Sequence, residues 1–451
     1  NVELIPYRSV YPYSLYITNC SNLTIRDIHI KGGSASTSLK VVGIFAPTVS
    51  ITFDNCDFTY TAGYVIKFNS LSGEVNETPV VANCLFDNML SEAEGLVRDD
   101  SKWEVGRHEG VDLMHGVESA WIHHNTFRGM SHVAVEIEIL DRDSNPNLYG
   151  VHNCVIEYNL VEGANASYAR AFGICDATND AGENLATFNV FRHNKCYDMT
   201  TSIHLFGKNN VFYSNTISYT HPSETLHKAA QPWAFDAIPW SYLVSEGNIV
   251  LNNTFYDVAG GIMTEDKSGV VDNNLYANNL IVNYSEDNTN YPGAINTAAL
   301  GTIYVMNNGM YTAGKETCIY ADGVGYTPEE ANKTLLNYSG NIFADPKFET
   351  ADLSIVNQKG VKQDFTLSDD SPYCYTGLSL NDEIYEKFPA LKLITDDYTD
   401  VNGKAYLTQT PSIGAVSYNV TQSGKIVSVE EVSGLIVRTG TAFADINLPT
   451  T

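Results

Sequence analysis

Residues 53–58 read FDNCDF, and the same short phrase returns as VANCLF at 81–86, IHHNTF at 122–127, IEYNLV at 156–161, FRHNKC at 191–196, FYSNTI at 212–217, VLNNTF at 250–255 and YANNLI at 276–281. Its shared Asn falls at positions 55, 83, 125, 159, 194, 215, 253 and 279, with a weaker copy at Asn308, and the spacing runs from 21 to 42 residues. A fixed structural unit with insertions of variable length is implied. Within each phrase apolar and polar residues alternate as in a half-buried strand, until Asn interrupts. Asn tolerates the left-handed backbone that a tight bend between strands demands, and stacked Asn side chains can hydrogen-bond from one coil to the next. A second strand follows each phrase: YVIKFN from Tyr64, GVDLMHG from Gly110, VAVEIEI from Val133, AFGICD from Ala171, SIHLFG from Ser202, WAFDAI from Trp233 and GIMTED from Gly261. Two or three short strands per unit, with no helical periodicity, exclude the helical solenoids.

Strands this short satisfy their backbone groups only by pairing with the equivalent strands of the coils above and below, which is the parallel β-helix. An antiparallel sandwich would carry hairpin dipeptides at regular intervals, and these are missing. Across about residues 15 to 325 the Asn-marked coils resemble the right-handed parallel β-helix repeat proteins. The expected fold is therefore all-β, a right-handed parallel β-helix solenoid occupying residues 1–340. Beyond it the text changes to DPKF (345–348), DFTLSDDSPYC (364–374) and DVNGKAYLTQTPSIGAVSY (400–418). These phrases resemble the closing segment of secreted bacterial β-helix enzymes, so residues 341–418 are expected to be a C-terminal extension packed along the coils. Residues 419–451 read as a linker and the start of a bacterial Ig-like module.

Composition narrows the partners. With 43% hydrophobic and 18% charged residues the chain has the makings of a large core, far from the profile of disorder. Lys and Arg total 26 against 53 for Asp and Glu, a net charge of -27 that repels nucleic acid and anionic membranes. No run of about 18 apolar residues occurs, so no membrane insertion is expected. Eight Cys are present without a CxxC or a Cys/His group at zinc-ligand spacing, which favours buried thiols over a metal framework.

Alternation along the second strands sends Val, Ile, Leu and Phe to one face and a different set to the other. That other set holds Lys67, Asp112, Glu136, Glu138, His204, Asp236 and Glu265, a file of charged and imidazole groups. Insertions at 87–108, 141–150, 176–184 and 218–232 flank it and are expected to wall a groove. Adjacent coils stack at about 4.8 Å, close to the ~5 to 5.5 Å that separates the two carboxyl groups of retaining glycosidases. Asp112 and Glu136 are such a pair, and a single outward carboxylate is otherwise ordinary solvated surface. Glu138, His132, His204, Asp236, Asp176, Arg107 and His115 are expected to bind substrate around it, with Trp233 and Trp103 stacking on sugar rings.

The stretch GVDLMHGVESAWIHHNTF (110–127) followed by VAVEIE (133–138) resembles the catalytic region of β-helical retaining β-xylosidases. The resemblance implies Asp112 as nucleophile and Glu136 as acid/base. It spans about 30 residues, and the family's NHG after the Glu is absent. The expected function is thus a glycoside hydrolase, secreted or at a bacterial cell surface, acting on a polysaccharide or oligosaccharide and requiring no cofactor. A β-helix polysaccharide lyase is the alternative, with Lys67, Arg107, Arg170 or Lys208 as base or charge neutraliser and calcium held by Asp112, Glu136 and Glu138. A non-catalytic carbohydrate-binding adhesin is the third, though a stalk gains nothing from long loops over a few central coils.

Overall fold

The repeat phrase straddles a bend, and one central coil shows how it is used. Val111–Leu113 and Val117–Glu118 run along one sheet, Trp121–His123 along a second and Thr126–Met130 along a third. All four segments pair in parallel with the next coil, at Val111↔Val135, Val117↔Val151, Trp121↔Val155 and Thr126↔Leu160. In the computed structural model the described residues are 13–31, 40–59, 61, 64–70, 73–87, 109–130, 132–139, 149–164, 169–175, 186–199, 203–220, 235–237, 244–265, 269–284, 293–298, 301–349 and 364–418. Among them, two sheets of eleven strands and one of nineteen run the length of the stack, parallel except where Ile319–Ala321 meets Val324–Tyr326. This is the expected right-handed parallel β-helix, the hand that parallel crossovers adopt almost without exception.

Inward residues of successive coils stack on their own kind. Phe58, Phe86 and Phe127 lie face to face, with ring centroids 5.0 and 4.5 Å apart. Ile66, Val111, Val135, Phe172, Ile203, Phe235, Ile262 and Ile295 are buried in the same core. Burial of this kind, at roughly 25 cal/mol per Å² of apolar surface, is what holds strands too short to persist alone.

The Asn signal resolves into something different from a single shared position. Asp57 pairs with Leu85 and Leu85 with Thr126, so Cys56, Cys84 and Asn125 are equivalent, and Asn55 and Asn83 lie one residue earlier. At 55 and 83 the Asn itself takes the left-handed conformation, as expected. In later coils the preceding residue does so: His124, Tyr158, His193, Ser214, Asn252, Asn278 and Asn307. The Asn that follows points inward and forms a ladder through Asn125, Asn159, Asn194, Asn215, Asn253, Asn279, Asn308 and Asn341. Each Oδ1 accepts from the backbone and side-chain amides of the coil before it, at 2.9–3.1 Å around Asn215 and its neighbours. Cys84 N donates to Asn125 at one end, and Asn332 Oδ1 accepts from Asn341 Nδ2 at the other. A second ladder, Asn189–Asn210–Asn248–Asn274, fills the preceding bend and begins at Cys154.

Helices among the described residues are short. Pro328–Thr334 carries a capping box between Thr327 and Glu330 and supplies Asn332 to the ladder. The last coil closes with Ile342–Phe343. From the tail, Leu391, Ile394, Tyr398 and Tyr406 pack on the outward faces of Val211, Tyr213 and Ile249, while Phe365, Leu367 and Ile413 pack on Tyr256 and Leu280. Residues 419–451, read as a linker and Ig-like start, lie outside the described residues.

Candidate active site

Strand alternation places one side chain per coil at the same outward register. Lys67, Asp112, Glu136, Gly173, His204 and Asp236 occupy that position in consecutive coils, followed by Met263 and Asn296. Their flanking residues, such as Val111 and Leu113 or Val135 and Ile137, face the core, so the opposite direction of the file follows from the pleat. Glu138 stands two residues along, beside Cys175. The file is not the open groove expected from the sequence. Asp112 and Asp236 are fully buried, and Lys67, Glu136, Glu138 and His204 are exposed by 5% or less. Alternation reveals which face a residue takes but not what lies over it.

The file divides into two clusters. In the first, Lys67 Nζ lies 3.2 Å from Asp112 Oδ2 and 3.9 Å from the centre of the Tyr64 ring. His132 Nδ1 is 2.7 Å from Glu109 Oε1 and 3.9 Å from Glu136 Oε2. Arg170 points Nη1 at Cys175 Sγ, 3.7 Å away. The second cluster is the pair His204 Nδ1–Asp236 Oδ1 at 2.5 Å. Gly173 separates the clusters, since it occupies the file between Glu136 and His204 and a Cβ there would sit 3.7 Å from Glu136 Oε1. His115 is buried in the bend after Leu113. Trp103, Arg107, Asp176 and Trp233, together with most of the flanking insertions, lie outside the described residues. Part of the expected 218–232 insertion is strand, because Thr216–Thr220 belongs to the coil.

Electrostatics distinguishes the two leading carboxyls. Burial, followed by the charge of Glu109, pushes Glu136 up to about 8, while Arg170 opposes the shift. Asp112, one coil away, has the Lys67 ammonium as its counter-charge. Tyr64 is raised by burial and then by the carboxylates of Glu109, Asp112, Glu138 and Glu136, which shows how closely acidic groups converge here. Tyr64 and Glu109 were not among the residues singled out in the sequence. Both stand two places before their strands, which begin at Ile66 and Val111.

Among the described residues, one grouping of side chains is placed to hold a cation. Ligand atoms of Glu109, His132 and Glu136 lie within 4.8 Å of one another, with Glu109 and Glu136 buried and His132 half-buried. Asp112 and Glu138, expected beside Glu136 as calcium ligands, stand outside this group. An imidazole nitrogen with two carboxylates suits zinc or manganese better than calcium, which prefers oxygen throughout.

Substituting Lys67→Met should test how tightly the first cluster is balanced. It leaves Asp112 buried without its ammonium, and removing one partner of a buried ion pair typically destabilises by about 3–5 kcal/mol. Urea denaturation of the variant should show a midpoint well below that of the parent.

No protein-family model matches the sequence, and no curated protein matches it. Solved structures with a similar course of the chain include a PL6 family alginate lyase, AlyGC, at 14% identity and a TM-score of 0.35, covering 68% of this chain and 46% of that one. Tailspike protein 3 of bacteriophage CBA120 is similar at 11% identity and a TM-score of 0.31, over 76% of this chain and 50% of its own. The chain thus spans about half the length of these proteins.

Proposed function

We propose that the chain is a carbohydrate-cleaving enzyme, specifically a glycoside hydrolase with Glu136 as acid/base and Asp112 as nucleophile. The observation that carries this reading is the in-register placement of Asp112 and Glu136 on adjacent coils, with Glu136 raised by burial and Asp112 facing the Lys67 ammonium. A carboxyl held up to about 8 keeps its proton at neutral pH and can give it to a leaving glycosidic oxygen. Asp112, with the Lys67 ammonium 3.2 Å away, is placed as the group that attacks the anomeric carbon. As the bond from C1 to the leaving oxygen breaks, the Glu136 proton passes to that oxygen and an Asp112–C1 ester forms. Glu136, now a carboxylate, takes a proton from water, whose oxygen displaces Asp112 and restores both groups. The likeness of residues 110–138 to β-helical retaining β-xylosidases supports the same assignment and points to xylo-oligosaccharides as first substrates to try.

Incubation with neutral β-linked polysaccharides and oligosaccharides should release saturated sugars with new reducing ends, and Asp112→Asn should abolish the release. NMR of the first-formed anomer should show retained configuration. Binding without turnover by the unmodified chain would instead indicate a carbohydrate-binding surface protein.

A second reading is favoured by one specific grouping, that of Glu109, His132 and Glu136. Were a divalent cation held there, it would neutralise a uronate carboxylate, and Lys67 is the nearby candidate base for a lyase. That role needs Glu136 ionised on the metal, whereas the hydrolase needs it protonated, so the two readings demand different states of one carboxyl. A lyase would give an unsaturated uronate that absorbs in the ultraviolet, and dialysis against a chelator would remove its activity. The hydrolase should yield no such absorbance and should withstand the chelator.

A further inference from the structure

Two cysteines occupy the positions where the inward Asn ladder would continue into the first coils. Cys56 and Cys84 sit in register on adjacent coils, as Asp57 pairs with Leu85 and Leu85 N donates to Cys56 O at 2.9 Å. Neighbouring strands lie about 4.8 Å apart, inside the ~4.4 to 6.8 Å that disulfide-linked Cα atoms span. Each thiol points toward a carbonyl two residues back, Cys56 to Asp54 O at 3.5 Å and Cys84 to Ala82 O at 3.2 Å. A thiol here repeats the bond that Asn215 Nδ2 makes to Tyr213 O, but its single hydrogen cannot also donate to the next coil as Asn215 Nδ2 does to Asn253 Oδ1. From this placement we infer that Cys56 and Cys84 are a dithiol that closes to an inter-coil disulfide, a staple across the first coils.

The step is a thiol–disulfide exchange with a disulfide-bearing oxidant such as oxidised glutathione or an oxidoreductase. One cysteine, as thiolate, attacks the oxidant's disulfide to form a mixed disulfide and expel a thiol. The second displaces the oxidant's remaining sulfur, so the chain loses two protons and two electrons and the oxidant gains them as two thiols. The neighbouring Cys84 thiol brings Cys56 down to about 7, which makes it the better first attacker. Both sulfurs are buried, so the exchange belongs to folding or to opening of these coils rather than to the closed stack.

The test refolds the full chain in a glutathione redox buffer, alkylates remaining thiols and maps peptides without reduction. A linked peptide joining Cys56 to Cys84, lower in mass by two hydrogen atoms, is expected, with a denaturation midpoint that drops when dithiothreitol is added. In Cys84→Asn, a residue the ladder already uses at this position, the linked peptide should vanish and the dithiothreitol effect with it. Recovery of both cysteines fully alkylated, or of either one linked elsewhere, would overturn the inference. So would a midpoint insensitive to dithiothreitol in the unmodified chain.

Discussion

Glu136→Gln is expected to lower kcat/KM by about 10²- to 10⁴-fold, the usual contribution of a general acid, while making the folded chain more resistant to denaturant at alkaline pH. Loss of the proton donor should be greatest for natural sugar leaving groups and small for aryl glycosides whose leaving group needs no protonation. The unmodified enzyme should lose activity as pH rises through about 8, where Glu136 gives up its proton. The stability effect has the opposite sign. With its folded value near 8 and an ordinary value of 4.5, Glu136 binds more proton in the folded chain than in the unfolded chain across that window. Its contribution is therefore complete below about pH 4.5 and is lost as pH rises through about 8, at up to roughly 1.4 kcal/mol per pH unit. Glutamine keeps the shape without the charge, so urea midpoints of parent and variant should diverge between pH 5 and 9, with the variant ahead at pH 9. A variant that retains turnover on natural substrates would remove Glu136 from the chemistry. A variant no more stable at pH 9 would remove the buried charge from the energetics.

Asn215→Ala is expected to cost about 3–5 kcal/mol, far more than a typical polar truncation, because it interrupts the ladder at its centre. Asn215 Oδ1 accepts from both Asn194 N and Asn194 Nδ2 at 2.9 Å, and Asn215 Nδ2 donates to Phe191 O, Tyr213 O and Asn253 Oδ1. Alanine leaves the two Asn194 donors buried without that acceptor, and each orphaned group costs about 1–3 kcal/mol. Asn402→Ala, in an exposed turn of the tail, should shift stability by no more than about 0.5 kcal/mol. Equal losses at the two sites, read from urea titrations, would show that the ladder contributes nothing beyond its share of backbone pairing.

The repeat made the architecture legible because a strand of three residues leaves few ways to satisfy its amides, and FDNCDF or VLNNTF shows both strand and bend. The frame was harder to read. Asn55 and Asn125 look alike in the text, yet one adopts the left-handed turn and the other reaches inward, a difference set by pairing rather than by residue type. The ladder through Asn189, Asn210, Asn248 and Asn274 was hidden for the same reason, since the bend is carried by the residue before each, Phe188, Asn209, Gly247 and Asn273. At the candidate site, alternation sufficed to align Lys67, Asp112, Glu136, His204 and Asp236. It could not supply Glu109 or Tyr64, which lie beyond the alternating run, nor the burial of the whole file.

The Asn ladder has a direction, since every side-chain carbonyl accepts from the coil before it and every amide reaches toward the coil after it. Such a column is a template, and a terminal Asn341 with its amide unsatisfied would invite a second molecule to supply the next rung. Asn332, brought back by the helix Pro328–Thr334, provides that acceptor from within the chain and donates in turn to Asn341 O. A solenoid built by repeating one rung thus carries its own stop signal, and along this column end-to-end growth into fibres is blocked by an intramolecular bond rather than by charge.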